Sequence, residues 1–292
     1  MATQRVGFIL GSGRMGRLHQ KRLEAFGVKT NMFDGAEACR AFLRDHQKYT
    51  TEPNTSYFVV IATPASSHYE YVKSALLCGF SVFAEKPLAT SLADAEELIQ
   101  LAKEQQKLLF VGHSECYSNA FQKTLPFLAD MAKHDELESL SFVRYNLTSD
   151  RGRDVSMVWD IGIHDYALFY ELKKSIPQTN WRKVRVTFDE NRDAGYSMRM
   201  IYANFRGPEG KKPFWRLDLN PTHYATLKTH KNSIHIPTDN STDAISNEQR
   251  EFLHLLNLPL ADRQRKMLQN LEMARFAVQT AELYSTSPNS PK

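Results

Sequence analysis

A short apolar run, Arg5-Val6-Gly7-Phe8-Ile9-Leu10, breaks into Gly11-Ser12-Gly13-Arg14-Met15-Gly16, and a helix-like stretch follows from Arg17 to Ala25. A strand, a glycine loop and a helix in that order leave few folds open. Gly11 permits a tight turn, Gly13 lets backbone amides approach a pyrophosphate, and Gly16 lets the helix pack close to the sheet. The helix N-terminus then offers N–H groups and the positive end of its dipole to phosphates. Val28 to Phe33 reads as a second strand, and Asp34 ends it, 23 positions after Gly11. A carboxylate there suits a hydrogen bond to an adenosine ribose and repels a 2′-phosphate, and no arginine follows closely. NAD is therefore favoured over NADP, which stays possible. The competing reading is a glycine turn in an α/β protein that binds no dinucleotide.

The same alternation runs on. Ala36 to His46 reads as a helix, Thr51 to Thr55 as a polar loop and Tyr57 to Ala62 as a buried strand. Ser67 to Leu77 is the next helix, Ser81 to Ala84 the next strand, Ser91 to Gln106 a helix capped by Ser91, and Leu108 to Gly112 a further strand. Strands alternating with helices predict a doubly wound parallel sheet. The texture changes after about Tyr117. Phe121 to Lys133 reads as a helix, Leu140 to Asn146 as a strand and Met157 to Leu172 as a helix. From Trp181 to Pro237 strand follows strand, and runs such as Val184–Phe188 and Met198–Tyr202 alternate as half-buried antiparallel strands do. Met198, Met200 and Tyr202 read as sheet core or dimer face. Asn247 to Leu256 and Arg263 to Tyr284 return to helix, and Ser285 to Lys292 is read as frayed.

Composition narrows the function classes. With 292 residues, 42% of them hydrophobic and 24% charged, the chain has material for a sizeable core, which excludes wholesale disorder. No apolar stretch approaches the ~20 residues that span a bilayer, and the N-terminus lacks the apolar run of a secretory signal. Cys39, Cys78 and Cys116 are odd in number and form no CxxC pair. They point to a reducing, cytoplasmic setting and away from a disulfide scaffold or structural zinc. The net charge of +4 is spread without a basic stripe, so nucleic acid is not an expected partner.

Further segments carry chemistry. Ala84-Glu85-Lys86-Pro87-Leu88 ends a buried strand, at the edge where open parallel sheets bind ligands. Pro87 restricts Lys86 to an extended conformation. The ammonium is then either a solvated charge or an aimed acid, base or clamp. Thr63-Pro64-Ala65-Ser66-Ser67-His68 ends the previous strand near the same edge, and His68 reads as a capping or packing histidine. In Trp159-Asp160-Ile161-Gly162-Ile163-His164-Asp165, Asp160 and His164 stand four apart and share a helix face. They fit either an oriented acid/base imidazole or a plain ion pair. Gly162 between them hints at close approach of a ligand or another backbone, and no HxxxH or HExxH spacing suggests a metal. Arg151 and Arg153 precede this segment, as a phosphate or carboxylate clamp or as a solvated pair.

The glycine loop, Thr63–His68, Glu85-Lys86-Pro87, Gly112-His113 and Asp160–Asp165, in that order, resemble the Gfo/Idh/MocA family of NAD(P)-dependent oxidoreductases. The resemblance is specific over residues 5–172, thinner over 181–237 and loose in 247–256 and 263–284. The segment from Arg144 to Asp165 looks most like members that oxidise free or nucleotide-linked sugars. The resemblance implies a Rossmann domain over residues 1–118 and an α+β domain over residues 119–292, with the last helix free to pack back on the first. The second domain would carry an open, mostly antiparallel sheet whose outer face makes a homodimer or homotetramer. Gly11, Ser12, Gly13, Arg14, Met15, Gly16 and Asp34 would hold the cofactor, with Thr63, Pro64, His68, Glu85 and Lys86. Lys86 would contact the reacting hydroxyl, His164 would take or give its proton, and Asp160 would position both. Tyr117, Arg151 and Arg153 join Lys86, Asp160 and His164 as expected substrate contacts.

The family's segment after the fifth strand is Gly-His-x-x-Arg-Phe/Tyr-Asn-Pro. Here it reads Gly112-His113-Ser114-Glu115-Cys116-Tyr117-Ser118-Asn119-Ala120, with Cys116 for the arginine and no proline. The chain is also short for the family. The expected activity is hydride transfer between nicotinamide and a hydroxyl or keto carbon of a sugar or nucleotide-sugar. The alternatives are a reductase of a non-sugar substrate and a non-catalytic dinucleotide sensor.

Overall fold

Each apolar run of the first 113 residues becomes a strand of one parallel sheet. A computed structural model of the chain describes residues 4–146, 154–191, 194, 197–207, 214–219, 224–228, 233–237 and 243–286. Its first sheet holds β1 (Gln4–Leu10), β2 (Lys29–Phe33), β3 (Thr55–Ile61), β4 (Ser81–Glu85) and β5 (Leu109–Gly112), in the order β2-β1-β3-β4-β5. Every pairing in it is parallel. The connecting helices are α1 (Arg14–Ala25), α2 (Gly35–Arg44), α3 (His68–Leu77) and α4 (Leu92–Glu104). Phe58 to Ile61 and Val82 to Ala84 are fully buried, as befits central strands covered on both faces. The Ser91 hydroxyl accepts the Asp94 N–H at 3.1 Å and caps α4.

Two boundaries differ from the pattern in the sequence. Helix α1 begins at Arg14, three residues early, because Gly13 itself serves as the N-cap. Strand β3 begins at Thr55, inside the stretch read as a polar loop, because its first residues pair with Gln4 and Arg5 at the exposed end of β1.

The chain forms two compact units, and the first comprises Met1–His113 and Ile245–Thr286. The later segment brings α7 (Ala244–Leu256) and α8 (Leu260–Ser285) to the parallel sheet. Phe252 of α7 lies among Phe58, Phe83 and Phe110, with ring centroids 5.1–5.9 Å apart. Burying a ring of that size contributes about 2–3 kcal/mol. On α8, the Asn270 amide accepts the Val111 N–H (2.8 Å) and donates to the Val111 carbonyl (3.0 Å), while Met267 Sδ accepts the Leu109 N–H. Side chains thus supply edge strand β5 with the bonds that a further strand would have made.

The second unit is built on Ser114–Ala244. It contains α5 (Asn119–His134), β6 (Glu136–Tyr145), a π-helical turn at Val158–Gly162, α6 (Ile163–Ser175) and β7 (Arg185–Asn191). Then come β8 (Met198–Arg206), β9 (Phe214–Asp218), β10 (Tyr224–Lys228) and β11 (Ser233–Pro237). The strand order is β11-β10-β9-β8-β6-β7. All pairings are antiparallel except β6 with β7, which corrects the antiparallel reading of Val184–Phe188. The reason is topological: β6 and β7 are joined through α6, and a strand–helix–strand crossover returns the chain parallel. Sheet alternation gives one face to Ile201, Ala203 and Phe205, all buried, and the other to Met198, Met200 and Tyr202. Phe142, Tyr166, Phe169 and Phe188 form an aromatic core, with Phe142 and Phe188 stacked at 5.0 Å. No helix among the described residues is long and apolar enough to cross a membrane.

Candidate active site

The first unit supplies a cradle made of backbone. Gly11 sits at φ +101°, where an added Cβ would lie 2.5 Å from the Ala62 carbonyl oxygen. A Cβ at Gly16 would lie 1.9 Å from the Gly11 carbonyl oxygen, so the turn and helix touch through these two positions. At Gly13 nothing stands within 4 Å of an added Cβ. Gly13 is also an N-cap without a side-chain cap, and no acidic residue lies in the first turn of α1. The first N–H groups of α1 thus open toward a glycine-lined space, which fits a pyrophosphate. Ser12 lies in the same turn, and Arg14 and Met15 open α1.

Asp34 follows β2 and accepts the Ser12 N–H at 3.2 Å. Hydrogen bonds from the Ser12 side chain and backbone hold its carboxyl below the ordinary value, so the group is an anion at neutral pH. The ring nitrogens of His68 lie 2.6 Å from the Pro87 carbonyl and 2.9 Å from the Thr63 carbonyl. The buried imidazole therefore ties the turn at Thr63-Pro64 to the turn at Lys86-Pro87, whose peptide bond is cis.

Glu85, the neighbour of Lys86, is buried. Its Oε1 lies 2.6 Å from His19 Nε2, and Gln249 Nε2 lies 2.5 Å from His19 Nδ1. Burial pushes the Glu85 carboxyl up, but the His19 hydrogen bond and charge, then Lys86 and His68, outweigh it and leave it below its usual range. His113 follows Gly112, which pairs with Glu85 across β4 and β5, so Lys86 and His113 come next at the C-terminal edge of neighbouring strands. His113 is 2% exposed. Burial first, and then the Lys86 charge, push its imidazole down to about 4, so it is neutral at pH 7. Neither ring nitrogen has a hydrogen-bond partner among the described residues.

The second unit supplies charge. Asp160 lies in the π-helical turn and His164 in the first turn of α6. The single α-helix read over Met157–Leu172 is thus corrected: its first turn is wider than an α-turn. Gly162 has a specific reason to lack a side chain. A Cβ there would lie 2.6 Å from both carboxylate oxygens of Glu190, so the close neighbour is a side chain and not the ligand or backbone expected. Burial, and then the Asp165 charge, push the Glu190 carboxyl up to about 8. Tyr117 ends a 3-10 turn, Ser114–Tyr117, that packs on α6. Arg151 and Arg153 lie outside the described residues.

Next to His164 is a buried ion cluster that the sequence reading missed. Arg144, 2% exposed, bonds both oxygens of Asp165 (Nε at 3.0 Å, Nη2 at 2.7 Å) and both of Glu115 through Nη1 (2.7 Å) and Nη2. Arg199 Nη1 lies 3.2 Å from Glu115 Oε1. Burial pushes the Glu115 carboxyl up, but the charges of Arg144, His164 and Arg199 bring it far below its usual range. Burial leaves Asp165 above its ordinary value, with Arg144 opposing. One signal was available. Arg144 continues the inward row Leu140-x-Phe142 of β6, and a charge on a core face calls for partners.

Residues 5–113 match the family described as "Oxidoreductase family, NAD-binding Rossmann fold". The chain is 25% identical over 174 residues to UDP-N-acetylglucosamine 3-dehydrogenase of Acidithiobacillus ferrooxidans, covering 58% of this chain and 54% of that protein. It is 25% identical over 131 residues to myo-inositol 2-dehydrogenase of Thermotoga maritima, covering 41% and 39%. The matched stretches thus span about half or less of these relatives' length. Among solved structures, KijD10, a 3-ketoreductase from Actinomadura kijaniata in complex with TDP-benzene and NADP, superposes with a TM-score of 0.74. It covers 98% of each chain at 16% identity, which establishes a shared fold. With the glycine cradle, Asp34 and a parallel sheet, residues 5–113 match the Gfo/Idh/MocA oxidoreductase family in its NAD-binding Rossmann fold.

Proposed function

We propose that this protein is an NAD(P)-dependent oxidoreductase that interconverts a hydroxyl and a keto carbon of a sugar or nucleotide-sugar. The observation that carries the reading is the uncapped, glycine-lined start of α1, on a sheet whose β4 delivers Lys86 at its C-terminal end. The open amides hold the pyrophosphate, and Asp34 takes the adenosine ribose and disfavours a 2′-phosphate. Thr63, Pro64 and His68, with Glu85 and Lys86, line the nicotinamide side. When bound, the nicotinamide supplies the donor or acceptor of a hydride.

Lys86 holds the reacting oxygen by hydrogen bond and charge, and its neighbour Glu85 is kept anionic by His19. The imidazole of His164 takes the hydroxyl proton during oxidation and returns it during reduction. Asp160, in the turn before α6, positions His164 and the substrate. Tyr117, Arg151 and Arg153 complete the substrate contacts. The sugar class is supported by the two dehydrogenases to which the chain is similar. Cytoplasmic location and a homodimer or homotetramer, formed through the sheet face of Met198, Met200 and Tyr202, complete the proposal.

The test is nicotinamide absorbance with NAD or NADP against nucleotide-sugars, free sugars and inositols, for the wild type beside Lys86→Ala and His164→Ala. Turnover abolished by either substitution, with NAD(H) binding intact, is the expected result. Tight NAD(H) binding without turnover on any of these compounds would move the reading to a non-sugar reductase or a sensor.

A further inference from the structure

We infer that Glu115, clamped by Arg144 and Arg199, is the positioning residue for His164: through Arg144 and Asp165 it locks in place the first turn of α6, which carries the imidazole. The inference rests on the reading of His164 as the proton-transfer group and names the side chains that prepare it.

The geometry is a plate with two forked edges. The planar guanidinium of Arg144 meets two oxygens of Glu115 on one side and two of Asp165 on the other. Such doubly bidentate pairing admits one relative placement of its partners. Glu115 lies in the 3-10 turn Ser114–Tyr117, and Asp165 is the next residue after His164. Arg144 therefore joins the 3-10 turn to the helical turn that carries the imidazole, and the packing of Ser114–Tyr117 on α6 closes the same joint.

The electrostatics give the joint a second use. Glu115 is faced by Arg144 from β6, Arg199 from β8, and His164 and Asp165 from α6. Glu190 of β7 acts on Asp165 and Arg144, and Asp160 lies in the turn before α6. The charge of Glu115 interacts with that of His164, and by reciprocity it favours the protonated imidazole. Arg199 opposes this, because its charge offsets that of Glu115. Stability alone does not account for such a cluster, since a buried ion network is commonly no more stable than an apolar replacement.

The decisive experiment compares Glu115→Gln with Arg199→Gln in the full chain, following the His164 ring by NMR titration, with His164→Gln to assign its signal. Glu115→Gln is expected to move the titration to lower pH by about one unit, and Arg199→Gln to move it to higher pH by less. Glu115→Asp restores part of the shift, and NAD(H) affinity is unchanged in all three. Where a substrate is found, the pH limb of kcat moves in the same directions. An unmoved titration, with only a lower Tm, would overturn the inference. If Glu115→Gln does not fold, Arg199→Gln decides by itself on the same criterion. The expected shifts without turnover on any sugar would sustain the coupling and sink the sugar reading; turnover without the shifts would do the reverse.

Discussion

The two units prepare their candidate functional groups by different means. In the first, the cradle is backbone: Gly11, Gly13 and Gly16 act by lacking side chains, and the start of α1 acts through its N–H groups. In the second, the groups around His164 are charged side chains drawn from a 3-10 turn, two strands and a helix, with Arg144 as the common partner. Apart from the close approach of Gly11 to Ala62, the backbone device needs only neighbours in sequence. A charge cluster needs a tertiary fold to assemble it and burial to make its fields strong. The first is therefore locally encoded and tolerant of change elsewhere, and the second is exposed to loss of any one member.

The sharpest way to break this contrast is to remove the shared partner. Arg144→Met leaves two buried carboxylates without their cation and should cost about 3–5 kcal/mol. Chemical denaturation would read the loss, and hydrogen exchange would confine it to the second unit, including α6 and β6. The charge-free combination with Glu115→Gln and Asp165→Asn should recover most of it. If Arg144→Met were neutral, the cluster would be a bystander and the contrast would fall.

Next in size is Gly16→Ala. Its Cβ would meet the Gly11 carbonyl oxygen at 1.9 Å and force the turn and α1 apart. NAD(H) affinity should fall about 100-fold, equivalent to ~2.7 kcal/mol, in a fluorescence titration, with the His164 signals unmoved. Retained affinity would mean that the cradle is more compliant than its geometry indicates.

A smaller effect tests the π-helical turn. Gly162→Ala places a methyl against the Glu190 carboxyl and should destabilise by about 1–3 kcal/mol. The double substitution Gly162→Ala with Glu190→Ala should cost less than the sum of the two. Additive costs would show that the contact does not limit the turn.

The smallest effects are pH slopes, and they have opposite signs in the two units. The Glu190 carboxyl stands at about 8 against an ordinary 4.5, so between those values the folded chain binds more protons than the unfolded chain. Stability there falls as pH rises. Glu190→Gln should remove the slope and raise stability at pH 8, with little effect below pH 4.5. The His113 imidazole stands at about 4 against an ordinary 6.5, so in that window the unfolded chain binds more protons. Stability is lost there as pH falls, and His113→Asn should flatten the acid side of a Tm–pH curve. Equal slopes in the wild type and these variants would show that neither group is buried as described.

Much of the first unit is readable from residues next to one another. Its strands are unbroken apolar runs, its helices open at Gly13 and Ser91, and the loop between β1 and α1 carries its chemistry in six consecutive positions. Lys86 and His164 were also legible, as members of ordered motifs. Their settings were not. His19 reaches Glu85 across 66 positions, and Gln249 reaches His19 across 230. Glu115 looked like an ordinary polar residue in a departed motif, because its partners Arg144 and Arg199 lie 29 and 84 positions away. Gly162 showed that something comes close, but Glu190 could be named only once β7 lay beside the π-helical turn.

The sequence by itself determined the parallel sheet, the glycine turn and the identity of the groups that can do chemistry, since strand period, turn sterics and side-chain type are local properties. Only the tertiary structure decided that residues 245–286 complete the first unit, that β7 runs parallel to β6, and that Arg144 stands between Glu115 and Asp165. Those outcomes depend on which distant surfaces pack together, and on burial, which sets the strength of every charge in the cluster.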